Sequence, residues 1–114
     1  MGQTWPYKHV FLVDSDDEGR SWQNFRQLTT VFGQCYGYPA ALSDGTVVVI
    51  HDTRYGPGPP SGRAMISYDE GETWEDEVYY LCEGGAYSAS VVLEGDVILT
   101  IVGETAIRWK PVRD

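Results

Sequence analysis

The sequence predicts an all-β chain built from an antiparallel unit of about 50 residues that repeats, a length in the range of propeller blades. Three observations carry that prediction. An eight-residue pattern occurs twice, short β-branched and aromatic stretches alternate with turn signals, and no segment sustains a helical period. With 114 residues, 42% of them hydrophobic and 22% charged, the chain has the balance of one folded domain and is too short for two independent cores.

Strands are predicted over 8–14, 23–31, 37–42, 46–52, 63–67, 75–81, 87–93, 96–102 and 105–110. The first two are joined by Ser15-Asp16-Asp17-Glu18-Gly19-Arg20-Ser21-Trp22, which recurs 52 positions later as Ser67-Tyr68-Asp69-Glu70-Gly71-Glu72-Thr73-Trp74 between the fifth and sixth. Serine, aspartate, glycine, hydroxyl and tryptophan all stay in register. In each copy the aspartate can accept backbone N–H bonds across a tight turn, the glycine permits a left-handed conformation, and the tryptophan is expected to bury a large ring. The third and fourth strands meet at Ser43-Asp44-Gly45, and the seventh and eighth at Glu94-Gly95-Asp96, both read as hairpin turns. Around them Tyr38-Pro39-Ala40-Ala41-Leu42 matches Tyr87-Ser88-Ala89-Ser90-Val91, and Asp44-Gly45-Thr46-Val47 matches Glu94-Gly95-Asp96-Val97. Between the fourth and fifth strands, Tyr55 to Gly62 is so rich in glycine and proline that a loop is predicted throughout.

The pattern S-x-D-x-G-x-[S/T]-W resembles the Asp-box, or BNR, repeat of the sialidase superfamily. The resemblance implies a β-propeller of four-stranded antiparallel blades, each box joining the third and fourth strands at the blade periphery. Residues 1–114 then form a single segment of about two blades of a six-bladed ring, starting mid-blade. The implied roles of Ser15, Asp17, Gly19, Ser21, Trp22, Ser67, Asp69, Gly71, Thr73 and Trp74 are structural. Blade faces and strand edges left open by so short a segment call for partners, and a head-to-tail homotrimer would complete six blades. A piece of a longer protein is the competing explanation.

Sialidases hold a substrate carboxylate with arginines and attack with a glutamate-activated tyrosine, an aspartate serving as acid and base. Arg63 stands four residues before an Asp box, where such proteins can carry a clamping arginine. His51-Asp52-Thr53-Arg54-Tyr55 ends a predicted strand and enters the Gly/Pro loop, so Asp52, Arg54, Tyr55 and Arg63 are the candidate ligand-binding residues, with an ion pair of Asp52 to Arg54 or Arg63 as the purely structural reading. Tyr87 and Asp52 are the candidate catalytic pair, and Glu83 and Glu104 weaker partners. A tyrosine that fills the same repeat position as Tyr38 is more simply a packing residue. No Arg-Ile-Pro motif of a first sialidase blade appears. The resemblance therefore favours a non-catalytic module that binds a glycan or protein through the axial face of an assembled propeller; an exo-glycosidase removing terminal sialic acid is the alternative, and a remnant without selected activity a third reading.

Charge narrows the partners. Seventeen acidic against eight basic residues give a net charge of −9, which repels phosphate backbones and anionic membranes. The apolar runs are strand-sized, too short to cross a bilayer, and the N-terminal residues lack the pattern of a secretory signal, so the compartment stays open. Cys35 and Cys82 are expected as free thiols; His9 and His51 have no metal-ligand spacing, and no cofactor is expected.

Overall fold

The computed structural model describes residues 8–31, 33–55, 58–76 and 78–112. They contain β1 (Phe11–Asp14), β2 (Gln23–Gln27), β3 (Cys35–Ala41), β4 (Val47–Asp52), β5 (Ser61–Ser67), β6 (Val78–Glu83), β7 (Ser88–Val92), β8 (Ile98–Val102) and β9 (Thr105–Trp109). These strands form three separate antiparallel sheets, each a meander in chain order: β1-β2, β3-β4-β5-β6 and β7-β8-β9. The all-β prediction holds. Among the described residues no sheet closes on itself, and the helical content is one 3-10 turn at Glu94–Asp96. Gly56 and Pro57 of the predicted loop lie outside the described residues, as does the N-terminal segment 1–7.

The middle sheet is covered on both faces, and the alternation of β4 and β5 shows how. Val48, Ile50, Ala64 and Ile66, with Leu42, pack against Ile98, Val92 and Trp109 of the last sheet. Val49, Met65 and Trp74 turn the other way, onto Val10, Leu12 and Leu28 beside the first sheet. A strand buried on both sides reads as a continuous apolar run, which is why Val47-Val48-Val49-Ile50 does not alternate in polarity. Each fully buried valine or isoleucine contributes about 1.5–3 kcal/mol, so the middle sheet holds most of the packing energy.

Three expectations are corrected. The predicted loop ends early: Ser61 and Gly62 already belong to β5, Gly62 pairing with Asp52 on one side and Cys82 on the other. Thr53 closes this end, its hydroxyl accepting from Ser61 N–H at 2.9 Å while its own N–H donates to the Ser61 carbonyl at 3.1 Å. Glycine suits the position because a Cβ there would press on Cys82 Sγ and Val102.

The register between repeats also differs from the sequence match. Leu42 N–H donates to the Thr46 carbonyl at 2.8 Å and Leu93 N–H to that of Val97 at 2.7 Å. Ala41 pairs with Val47 as Val92 pairs with Ile98, so equivalent positions here lie 51 apart. Tyr38, opposite Ile50, corresponds to Ala89, opposite Ile101, and not to Tyr87. The left-handed residue of the first turn, Gly45 at φ 91°, corresponds to Asp96 at φ 61°. An aspartate tolerates that conformation better than most side chains, and here its carboxylate accepts from the N–H of Ser43 at 3.0 Å and from its hydroxyl at 2.5 Å, clipping the two hairpins together.

The third correction concerns Trp22, which remains 61% exposed although the box predicts a buried ring. Its counterpart Trp74 packs into the cluster between the first and middle sheets. No described element covers the outer face of the first sheet, so the same turn presents its tryptophan to water there.

Candidate functional site

The sequence places Asp52 at the end of β4, on the same side of the strand as Val48 and Ile50, where the middle sheet meets the last. It is 1% exposed, and a buried carboxylate needs compensation. Arg54 supplies it. The Arg54 backbone N–H donates to Asp52 Oδ1 at 2.7 Å, its Nε to Oδ2 at 2.8 Å, and its Nη2 lies 2.8 Å from the same oxygen. Gly85 makes room on the opposite wall, since a Cβ at that position would collide with Asp52 Oδ1.

Three tyrosines frame the tethered guanidinium. Arg54 Cζ lies 5.0 Å from the ring centre of Tyr36, 5.4 Å from that of Tyr87 and 5.7 Å from that of Tyr55. Tyr36 and Tyr87 meet edge to face with centroids 4.5 Å apart. Lys8 Nζ stands 4.8 Å from the centre of Tyr55, adding a second cation. Such contacts are worth about 0.5–1 kcal/mol each where water has access. The neighbouring Tyr87 and Tyr55 phenols raise the Tyr36 pKa above its ordinary value. Tyr87 is 68% exposed, leaving most of its ring surface open.

A β-bulge brings Tyr36 into this group. Cys35 pairs with Asp52 and Tyr38 with Ile50, so Tyr36 and Gly37 together oppose His51. Tyr36 takes φ 60°, a left-handed conformation that costs a non-glycine residue about 1–2 kcal/mol. Gly37 beside it packs so closely on Val10 that a Cβ would stand 2.7 Å from Val10 Cγ1. Tyr55 is tied down through its N–H, which donates to the Gly33 carbonyl at 3.2 Å.

Asp52, Arg54, Tyr55 and Tyr87 are thus brought together, and Arg63 is not. Arg63 pairs with His51 across β4–β5 and shares the face of Met65, turned toward the first sheet, where its Nε donates to Ser61 Oγ at 2.9 Å. The ion pair of Asp52 is made with Arg54. His51 is 1% exposed with neither ring nitrogen hydrogen-bonded, and burial, reinforced by the Arg63 charge, lowers its pKa from 6.5 to about 4. Sequence reasoning missed Tyr36, Lys8 and Gly85. A repeat alignment 51 residues apart would have set Tyr87 against Tyr36 instead of Tyr38. Cys35 and Cys82 are free thiols, and burial together with the Asp52 charge pushes the Cys35 thiol up, away from a reactive thiolate. Among the described residues no cluster of three or more histidines, cysteines and carboxylates is placed to hold a metal ion.

The two copies of the repeated eight-residue turn close by the same bonds. Ser15 Oγ donates to Asp17 Oδ1 at 2.8 Å and accepts from Gly19 N–H at 2.8 Å, while Asp17 accepts from Ser21 N–H at 2.9 Å and Ser21 Oγ at 2.5 Å. The corresponding distances at Ser67, Asp69, Gly71 and Thr73 are 2.8, 2.9, 2.8 and 2.5 Å. These bonds stabilise the ionised carboxylates and draw both pKa values from 3.8 to about 2, led by the bond from Ser21 and from Thr73. With both oxygens engaged, each carboxylate ties the two ends of its turn together.

No family model, curated protein or solved structure matches the chain.

Proposed function

We propose that the chain is a segment of an Asp-box β-propeller of the sialidase type, acting as a non-catalytic module that binds an acidic glycan at the Arg54 cluster. The observation that carries this reading is a guanidinium held in place by a buried carboxylate and ringed by three tyrosines, one of them largely open to solvent. Exposed aromatic rings take the C–H faces of sugars, and the Arg54 guanidinium, on a side chain 32% exposed, offers a positive charge to a sugar carboxylate. Two features support the propeller part of the reading. The three sheets follow one another in chain order with the middle one covered on both faces, and β3 runs beside β7, as successive inner strands around a hub would.

Hydrolysis with Tyr87 as nucleophile and Asp52 as acid and base has the nearness of Tyr87 to Arg54 in its favour. It is the weaker reading because both oxygens of Asp52 are bound to Arg54 and the group is sealed from solvent, whereas an acid–base residue must reach the departing oxygen. Calorimetric titration with carboxylated and neutral oligosaccharides tests the proposal. Binding is expected for the acidic sugars, weakened about fivefold or more by Tyr87→Ala, with no release from a fluorogenic sialoside. Turnover abolished by Tyr87→Phe would establish the enzyme instead.

A further inference from the structure

The first and last sheets expose the two faces that the middle sheet buries. On the outer side of the first sheet, Phe11, Val13, Trp22 and Phe25 are exposed, with the two phenylalanine rings stacked at 5.2 Å. Val13 and Trp22 correspond, 52 positions on, to Met65 and Trp74, the residues through which the middle sheet packs on the first. On the far side of the last sheet, Leu99 pairs with Arg108 and Ile101 with Ala106. By register these are the counterparts of Val48 with Ile66 and Ile50 with Ala64, the four residues through which the middle sheet packs on the last. Ile101 and Val91 on that far side are about half exposed.

The first-to-middle and middle-to-last contacts are therefore two instances of one face pairing, and among the described residues the first and last sheets each present one unmatched half of it. We infer that a second copy of this chain docks head to tail, the far face of its last sheet covering Phe11, Val13, Trp22 and Phe25 of the first. Continuity with the two internal contacts sets the orientation, and because this chain carries both halves of the pairing, a second copy is the occupant that matches. Charge agrees with this seating: Arg108 lies on one face, and exposed Asp16 and Glu18 lie in the turn bordering the other. The contact is heterologous, so successive copies either close a ring or extend a filament. The inference rests on reading the three sheets as successive equivalents of one repeat. It does not depend on what the Arg54 cluster binds.

Light scattering on the purified chain tests it. The expected particle mass is a multiple of the 12.7 kDa chain, and a single-chain mass up to high micromolar concentration overturns the inference. Val13→Asp blocks one face and Ile101→Asp the other. Each variant alone is expected to run as a folded monomer by circular dichroism and scattering, and an equal mixture is expected to form a one-to-one dimer, because each retains the face that the other has lost. A mixture that stays monomeric, or either variant remaining oligomeric alone, overturns head-to-tail docking. Phe25→Asp and Val91→Asp repeat the test at more exposed positions should either first variant unfold. None of these residues belongs to the Arg54 cluster, so sugar binding measured on the monomeric variants reports separately on the proposed function.

Discussion

Around Asp69 and around Asp17 the chain closes the same turn with the same bonds, yet Trp74 ends one of them among Val10, Leu28, Val49 and Met65, while Trp22 ends the other in water. Glu70 and Gly71 take φ values of 61° and 88°, Glu18 and Gly19 values of 62° and 87°. The turn is therefore independent of what surrounds it. Its bonds run between residues two to four apart in the chain, so eight consecutive residues suffice to build it. Covering the tryptophan requires a neighbouring sheet, which only one of the two turns has.

The sharpest way to break this comparison is to truncate the tryptophans. Trp74→Ala is expected to cost about 2–3 kcal/mol in urea denaturation, less than a fully buried aromatic because its ring is half-buried. Trp22→Ala in the monomeric Val13→Asp background should cost below about 0.5 kcal/mol. Equal losses would mean that the exposed ring is covered in solution even in that background. In the unsubstituted chain the Trp22→Ala loss should grow with protein concentration, as the docked second copy requires.

His51 probes the covered seam from its other end. The folded state holds the ring neutral, with its pKa lowered from 6.5 to about 4. The associated stability is complete above pH 6.5 and is lost as the pH falls toward 4, on the order of 3 kcal/mol in all. His51→Leu should flatten the denaturation profile across that window, and an unchanged profile would show that the ring is not buried neutral.

Replacing the left-handed glycines comes next. Gly71→Ala and Gly19→Ala are each expected to cost about 1–2 kcal/mol by calorimetry, since both need positive φ and neither Cβ would meet a neighbour closer than 3.6 Å. Like losses at the two sites would sharpen the view that the turn is local; a loss confined to Gly71 would tie it to the packing around Trp74. Last come the turn carboxylates, whose contribution is read in acid. Their lowered pKa values mean that stability is present above 3.8 and is lost as the pH falls through about 2. Asp17→Asn and Asp69→Asn should weaken that acid transition by matching amounts, read from melting temperatures between pH 5 and 2.

Much of the fold was legible because its determinants are consecutive. The two box turns, the hairpins at Ser43–Gly45 and Glu94–Asp96, and the order of nine strands follow from glycines, aspartates and β-branched runs. Less of the candidate site could be read in advance. Asp52, Arg54 and Tyr55 adjoin one another in sequence, but Tyr36 reaches them through a bulge in β3 and Tyr87 through the neighbouring last sheet. Arg63 stands nine residues beyond Arg54, and its strand phase sends it to the other face of the sheet.

By itself the sequence determined the local closures, since hydrogen bonds between near neighbours form wherever those residues occur in that order. Only the tertiary structure decided which repeated tryptophan is buried, which arginine meets Asp52, and that equivalent positions of the middle and last sheets lie 51 residues apart. Those outcomes depend on strand register and on sheets meeting across the molecule, where one residue of slip exchanges the buried side of a strand for the exposed one.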